Sequence, residues 1–111
     1  MEINSREVGK CKVLDCSGPI TLGPATAALR EAIRNAVKEG TPRVVLNLGN
    51  VPYIDSSGIG ELISGFVHAK NQGVSLPLLN LTRKISELLV IAKLMTIFEV
   101  FEDEAKALEG C

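Results

Sequence analysis

The chain has no tryptophan, one tyrosine and three phenylalanines in 111 residues. Aromatic packing cannot organise its interior, so the core must be built from Leu, Ile, Val and Ala. Histidine is almost missing, with His68 the only one. No Lys/Arg run stands out, and 12 basic against 13 acidic residues leave a net charge of −1. That balance lacks the electrostatic footprint of a nucleic-acid binder. It also lacks a polybasic segment for anionic lipid. The longest apolar window, "ISELLVIAKLMTIFEVF", is broken by Glu87, Lys93 and Glu99, which a bilayer span tolerates poorly. The opening "MEINSREVGK" has no apolar segment and does not read as a signal peptide. The expectation is a cytoplasmic protein with neither nucleic acid nor membrane as partner.

Cysteine is scarce and odd in number: Cys11, Cys16 and Cys111. Residues five apart on a strand face opposite sides, which argues against a bond between Cys11 and Cys16. Three reduced, structural thiols are expected. Three scattered Cys and one His supply too few ligands for a metal, so no metal site and no cofactor are expected.

What is present is an ordinary globular composition, 46% hydrophobic and 23% charged. The length suits one domain over residues 1–111 with its own core. "MEINS" reads as a first strand with "REVG" as its turn, and "KCKVLDCSG" as a second strand ending at Gly18-Pro19. "GPATAALREAIRNAVKEG" is a helix opened by Pro24, with Leu29, Ile33, Ala36 and Val37 on one face. "RVVLNL" is a buried strand. "SGIGELISGFVHAKNQG" is a helix whose inward stripe is expected to be Ile59, Leu62, Ile63, Phe66 and Val67. Glu61, Ser64, His68 and Asn71 then fall on its wet side. In "VSLPLLNL", Pro77 implies an edge position or an early strand end. Thr82 caps "RKISELLVIAKL", with Ile85, Leu88, Leu89 and Ala92 inward. "TIFEVF" is a short last strand and "EDEAKALEG" a polar terminal helix. Strands alternating with helices predict an α/β fold: a mixed, mostly parallel sheet of four to five strands with about four α-helices.

The stretch that invites chemistry is "YIDSSGIGELI", from Tyr53 to Ile63. It lies at the carboxyl end of a strand, where open α/β sheets gather their sites. Asp55, Ser56 and Ser57 are all good helix caps. Equally, a serine there is offered to a partner at the positive end of a helix. One serine capping while the other is presented satisfies both readings. A hydrolase nucleophile does not fit, because no G-x-S-x-G surrounds either serine. His68 stands roughly 16 Å from Ser57 along one helix, far beyond the reach of a general base. A triphosphate loop is missing too, since no GK[ST] occurs. No catalytic residue is expected.

From Cys11 to Leu108 the chain resembles the bacterial anti-sigma factor antagonists, the single-domain STAS proteins. The resemblance rests on "VVLNLGNVPYIDSSGIGELISGFVHAKNQG" and "LLNLTRKISELLVIAKLMTIFEVFEDEAKAL". It implies a STAS-like fold and a partner switch. The serine after the aspartate, Ser56 here, is the implied phosphorylation site, with Ser57 as the alternative. An anti-sigma factor with serine kinase activity is the implied partner and writer of the mark, and a serine phosphatase its eraser. The unmodified protein, alone or as a weak dimer, binds the anti-sigma factor and frees the sigma factor. Asp55, Ser57, Gly58, Gly60, Glu61 and Ser64 are the expected docking residues. One departure is the loop "SGPITLGPAT", residues 17–26, which holds no acidic residue where many members have an acidic segment. A non-phosphorylated STAS scaffold or accessory subunit, of a signalling or membrane transport complex, is the second reading. A small enzyme or nucleotide-binding domain is the third.

Overall fold

The computed structural model describes residues 1–111. Nine elements alternate along the chain: β1 (Glu2–Val8), β2 (Cys11–Ser17), α1 (Pro24–Lys38), β3 (Val44–Asn50), α2 (Ser56–Asn71), β4 (Leu78–Leu79), α3 (Arg83–Ile91), β5 (Val100–Phe101) and α4 (Glu104–Ala107). The strands form one sheet in the order β1-β2-β3-β4-β5. Only β1 runs antiparallel to its neighbour, and the remaining pairs are parallel. This is the mostly parallel α/β sheet that the alternation predicted.

Strand periodicity divides the apolar side chains between two faces. Leu14, Cys16, Leu46, Leu48 and Leu78 join Leu29, Ile33, Leu62, Ile85 and Leu89 of the long helices in the main core. On the opposite face Val13, Val45 and Leu79 form a small cluster with Ala107 of α4. Burial on both faces explains why β2 and β3 read as near-continuous apolar runs. The α1 stripe is as expected, with Leu29, Ile33, Ala36 and Val37 all buried.

Several expectations need correction. The strand β1 continues through "REV", and the hairpin turns at Gly9, whose φ is 59°. Arg6 stays in the strand because Asp15 at 2.5 Å and Glu104 at 2.6 Å both bind its guanidinium. Pro77 does not mark an edge, because β4 is paired on both sides. It marks an early boundary instead: its carbonyl accepts from Leu46 N–H at 2.9 Å, and the ladder to β5 begins with Leu78 N–H donating to Glu99 at 2.9 Å. In α3, Ile85 and Leu89 are buried but Ala92 is exposed. In α2, Leu62 is buried, whereas Ile63 and Val67 are exposed. The contact surface of that helix is built from Gly58, Glu61, Leu62, Gly65 and Ala69.

The cysteines also differ from expectation. Cys11 and Cys111 are joined by a disulfide, with Cα atoms 5.5 Å apart across a sequence separation of 100. Spacing within β2 gave no hint of this, because the partner arrives from the far end of the chain. Cys16 remains a thiol in the core. Its burial, with Asp15 nearby, pushes its pKa up to about 12.

Candidate functional site

The turn 53–58 is held by a short parallel extension of the sheet. Ile20 bridges Ile54, and Ile20 N–H donates to the Tyr53 carbonyl at 3.0 Å. Asp55 N–H in turn donates to the Ile20 carbonyl at 3.2 Å. The loop after β2 and the start of α2 are thereby fixed against one another.

Asp55 is the cap of α2. One carboxylate oxygen accepts from Gly58 N–H at 2.8 Å, and the other from Leu22 N–H at 3.0 Å. These bonds, the Leu22 one first, hold its carboxyl below the usual carboxylate range. With the cap taken by Asp55, the serines are released from that role. Ser56 is exposed and Ser57 half-buried, and the side-chain hydrogen bonds of the turn all belong to Asp55. Of the two readings of the turn, the capping one falls to Asp55, and Ser56 is left exposed beside it.

Close packing sets the height of this helix end. A Cβ on Gly58 would overlap the Ile20 carbonyl oxygen and lie 2.6 Å from Ile54 Cγ2 and 2.9 Å from Ile20 Cγ2. Gly58 thus faces inward, not toward a partner as expected. Gly60 is the reverse: a Cβ there would meet nothing within 4 Å. Glu61 is also displaced from the expected surface. It is 6% exposed, and Arg30 of α1 holds its two oxygens at 3.0 and 2.8 Å. It locks α2 to α1. Ser64 is exposed, as expected.

Two residues that pattern reading passed over are exposed at the turn and the loop bonded to it. Leu22, at the tip of the non-acidic loop, is 77% exposed while its N–H is bound to Asp55. Tyr53 is 41% exposed, with Lys84 Nζ 5.0 Å from its ring centre. The signal for Leu22 was the loop's missing acid, and for Tyr53 its place as the sole tyrosine beside the motif.

Nothing in the arrangement resembles acid–base machinery. His68 lines a cleft of about 750 Å³ with Arg34, Lys38 and Gln72, at the opposite end of α2 from Ser56. The structure contains no group of three or more His, Cys, Asp or Glu able to hold a metal ion. No helix is long and apolar enough to cross a membrane.

Comparison with solved structures places the fold. An anti-sigma factor antagonist from Mycobacterium paratuberculosis superposes with a TM-score of 0.81 at 19% identity, covering 96% of this chain and 90% of that one. The Bacillus cell fate determinant SpoIIAA in its phosphorylated form gives 0.74 at 18% identity, covering 97% of both chains. A sulfate transporter family protein from Wolinella succinogenes gives 0.79 at 20% identity, covering 91% and 84%. At such identities these likenesses speak for the fold alone. The sequence itself matches the STAS domain over residues 2–107, and the chain belongs to the STAS domain family.

Proposed function

We propose that this STAS domain is an anti-sigma factor antagonist switched by phosphorylation of Ser56. The unmodified protein docks on an anti-sigma factor that is also a serine kinase, and thereby frees the sigma factor. Phosphate on Ser56 ends the complex, and a serine phosphatase restores it. In this reading the protein works in the cytoplasm and catalyses nothing. The observation that carries it is the division of labour in the turn: Asp55 caps the helix, leaving an exposed Ser56 free for a visiting kinase. The likeness to SpoIIAA, known in a phosphorylated form, supports the same reading.

The docking surface is Ser56, Ser57, Gly60 and Ser64, flanked by Leu22 and Tyr53. Asp55, Gly58 and Glu61 support it from beneath. Phosphorylation adds a charge of about −1.5 to −2 and three acceptor oxygens. A partner pocket shaped around a hydroxyl would then face a bulky dianion that must be desolvated. The N-terminal end of α2 tolerates the anion, so the chain itself has no reason to refold. The switch is local, steric and electrostatic.

Phosphopeptide mass spectrometry after incubation with the cognate kinase and ATP tests the assignment. Modification at Ser56, abolished in Ser56→Ala and retained in Ser57→Ala, supports it. Modification at another position, or none, refutes it.

A second reading, an accessory module of a transport complex, draws on the likeness to the sulfate transporter family protein. The apolar Leu22 at the tip of the non-acidic loop also favours a different partner chemistry. Co-purification of a transporter subunit instead of a kinase separates the two.

A further inference from the structure

We propose that Cys11 and Cys111 form a reversible redox site that decides whether the C-terminal segment stays clamped over the second face of the sheet. This inference is independent of Ser56 and uses the opposite face of the molecule.

That face depends on a small cover. Val13, Val45 and Leu79 are fully buried in one cluster with Ala107, against which Val8, Phe101 and Leu108 also pack. The cover is α4, four residues long. One helical turn has no stability of its own in water. It is held instead by contacts to the sheet. Arg43 donates to the Ala107 carbonyl at 2.7 Å, and Arg6 holds Glu104 at 2.6 Å. The Arg6–Glu104 pair is solvent-exposed at both ends and contributes little. Lys10 N–H donates to the Cys111 carbonyl at 3.0 Å, and the disulfide closes the last link. Gly9 leaves room for that link, because a Cβ there would overlap the Cys111 carbonyl.

The two sulfurs are unequally placed. Cys11 is 3% exposed, while Cys111 is half-buried at the rim. An incoming thiolate therefore attacks Cys111 Sγ. The S–S electron pair leaves on Cys11 Sγ, which takes up a proton, and a mixed disulfide remains on Cys111. A second thiol of the reductant attacks that mixed disulfide and releases Cys111 as a thiol. The net step transfers two electrons and two protons from a dithiol to the protein. Oxidation reverses it, with a small-molecule disulfide such as glutathione disulfide as the acceptor. Cys16 takes no part, being sealed in the main core with its thiol pKa raised. In a reducing compartment disulfides are typically transient and redox-sensing, which suits a bond holding a marginal helix. With the bond open, α4 is left to weak contacts, and the apolar strip Val13–Val45–Leu79 becomes intermittently accessible.

Hydrogen exchange read by mass spectrometry tests this on the full chain. The protein is oxidised with glutathione disulfide or reduced with dithiothreitol. Oxidised protein shows the loss of two hydrogens and a peptide linking Cys11 to Cys111. Reduction raises exchange across 104–111 by about tenfold or more and leaves α2 unchanged. Cys111→Ser exchanges like the reduced protein in both buffers, whereas Cys16→Ala keeps the wild-type response. Equal exchange of 104–111 in the two redox states overturns the proposal. So does failure of the Cys11–Cys111 bond to form with glutathione disulfide.

Discussion

Substituting the first two glycines of α2 with alanine, one at a time, should give opposite results. Within a helix, Gly→Ala is favourable by up to about 1 kcal/mol, because alanine loses less conformational entropy on folding. At Gly60 a methyl group would point into open space, with nothing within 4 Å. Gly60→Ala is therefore expected to stabilise the protein by about 0.5–1 kcal/mol. At Gly58 the methyl group would overlap the Ile20 carbonyl and press on Ile54 Cγ2 at 2.6 Å. Neither neighbour can retreat freely, since Ile20 N–H and C=O are both bound to the turn at 3.0 and 3.2 Å. Overpacking of this kind costs about 1–3 kcal/mol and outweighs the helical gain. A net loss of about 1–2 kcal/mol, or roughly 5–15 °C in Tm, is expected for Gly58→Ala. Denaturant unfolding at constant m-value reads both numbers. Wild-type stability in Gly58→Ala, or a loss in Gly60→Ala, would refute the packing argument.

Three further outcomes follow from the same geometry. Asp55 is held ionised by the Leu22 and Gly58 amides, so its folded pKa is depressed. Its contribution is fully present above the unfolded carboxylate pKa of about 4 and is lost as pH falls through the lower folded value. The stability gap between wild type and Asp55→Ala is thus expected to be constant near neutrality and to close on acidification; a gap that widens in acid contradicts the capping role. Glu61→Ala removes the carboxylate that Arg30 grips between α1 and α2, and Tm should fall by several degrees, while Ser64→Ala on the exposed side leaves it unchanged. Tyr53→Ala should leave Tm nearly intact yet weaken binding to the anti-sigma factor by about tenfold or more, as expected of an interface aromatic; calorimetry showing full affinity would remove Tyr53 from the docking surface.

Sequence pattern carried most of the architecture because its signals here are local. All nine elements are legible from alternation, Pro24, Thr82 and the glycine stops. Reading failed where a long-range partner decides the outcome. The α2 stripe was misassigned because hydrophobicity favours Ile63 and Val67, while the helix docks through Gly58, Gly65 and Ala69. Small residues let the helix approach closely, and their low hydropathy hides them. Glu61 is buried because Arg30, 31 residues earlier in the chain, reaches it. Arg6 sits in a strand and not a turn because β1 pairs with β2 along its whole length, with Asp15 of β2 on the Arg6 guanidinium. The Cys11–Cys111 bond escaped for the same reason. At the site, the sequence marked the Asp-Ser-Ser-Gly turn but left the capping residue open. Two backbone amides, one from a loop 33 residues before Asp55, decide in favour of the aspartate.

The most direct test of the switch is calorimetric titration of the cognate anti-sigma factor with this protein, unmodified and phosphorylated at Ser56. Tight binding of the unmodified form and an affinity roughly a thousandfold lower after phosphorylation, a difference of about 4 kcal/mol, is the expected result. Equal affinity for the two forms would contradict it.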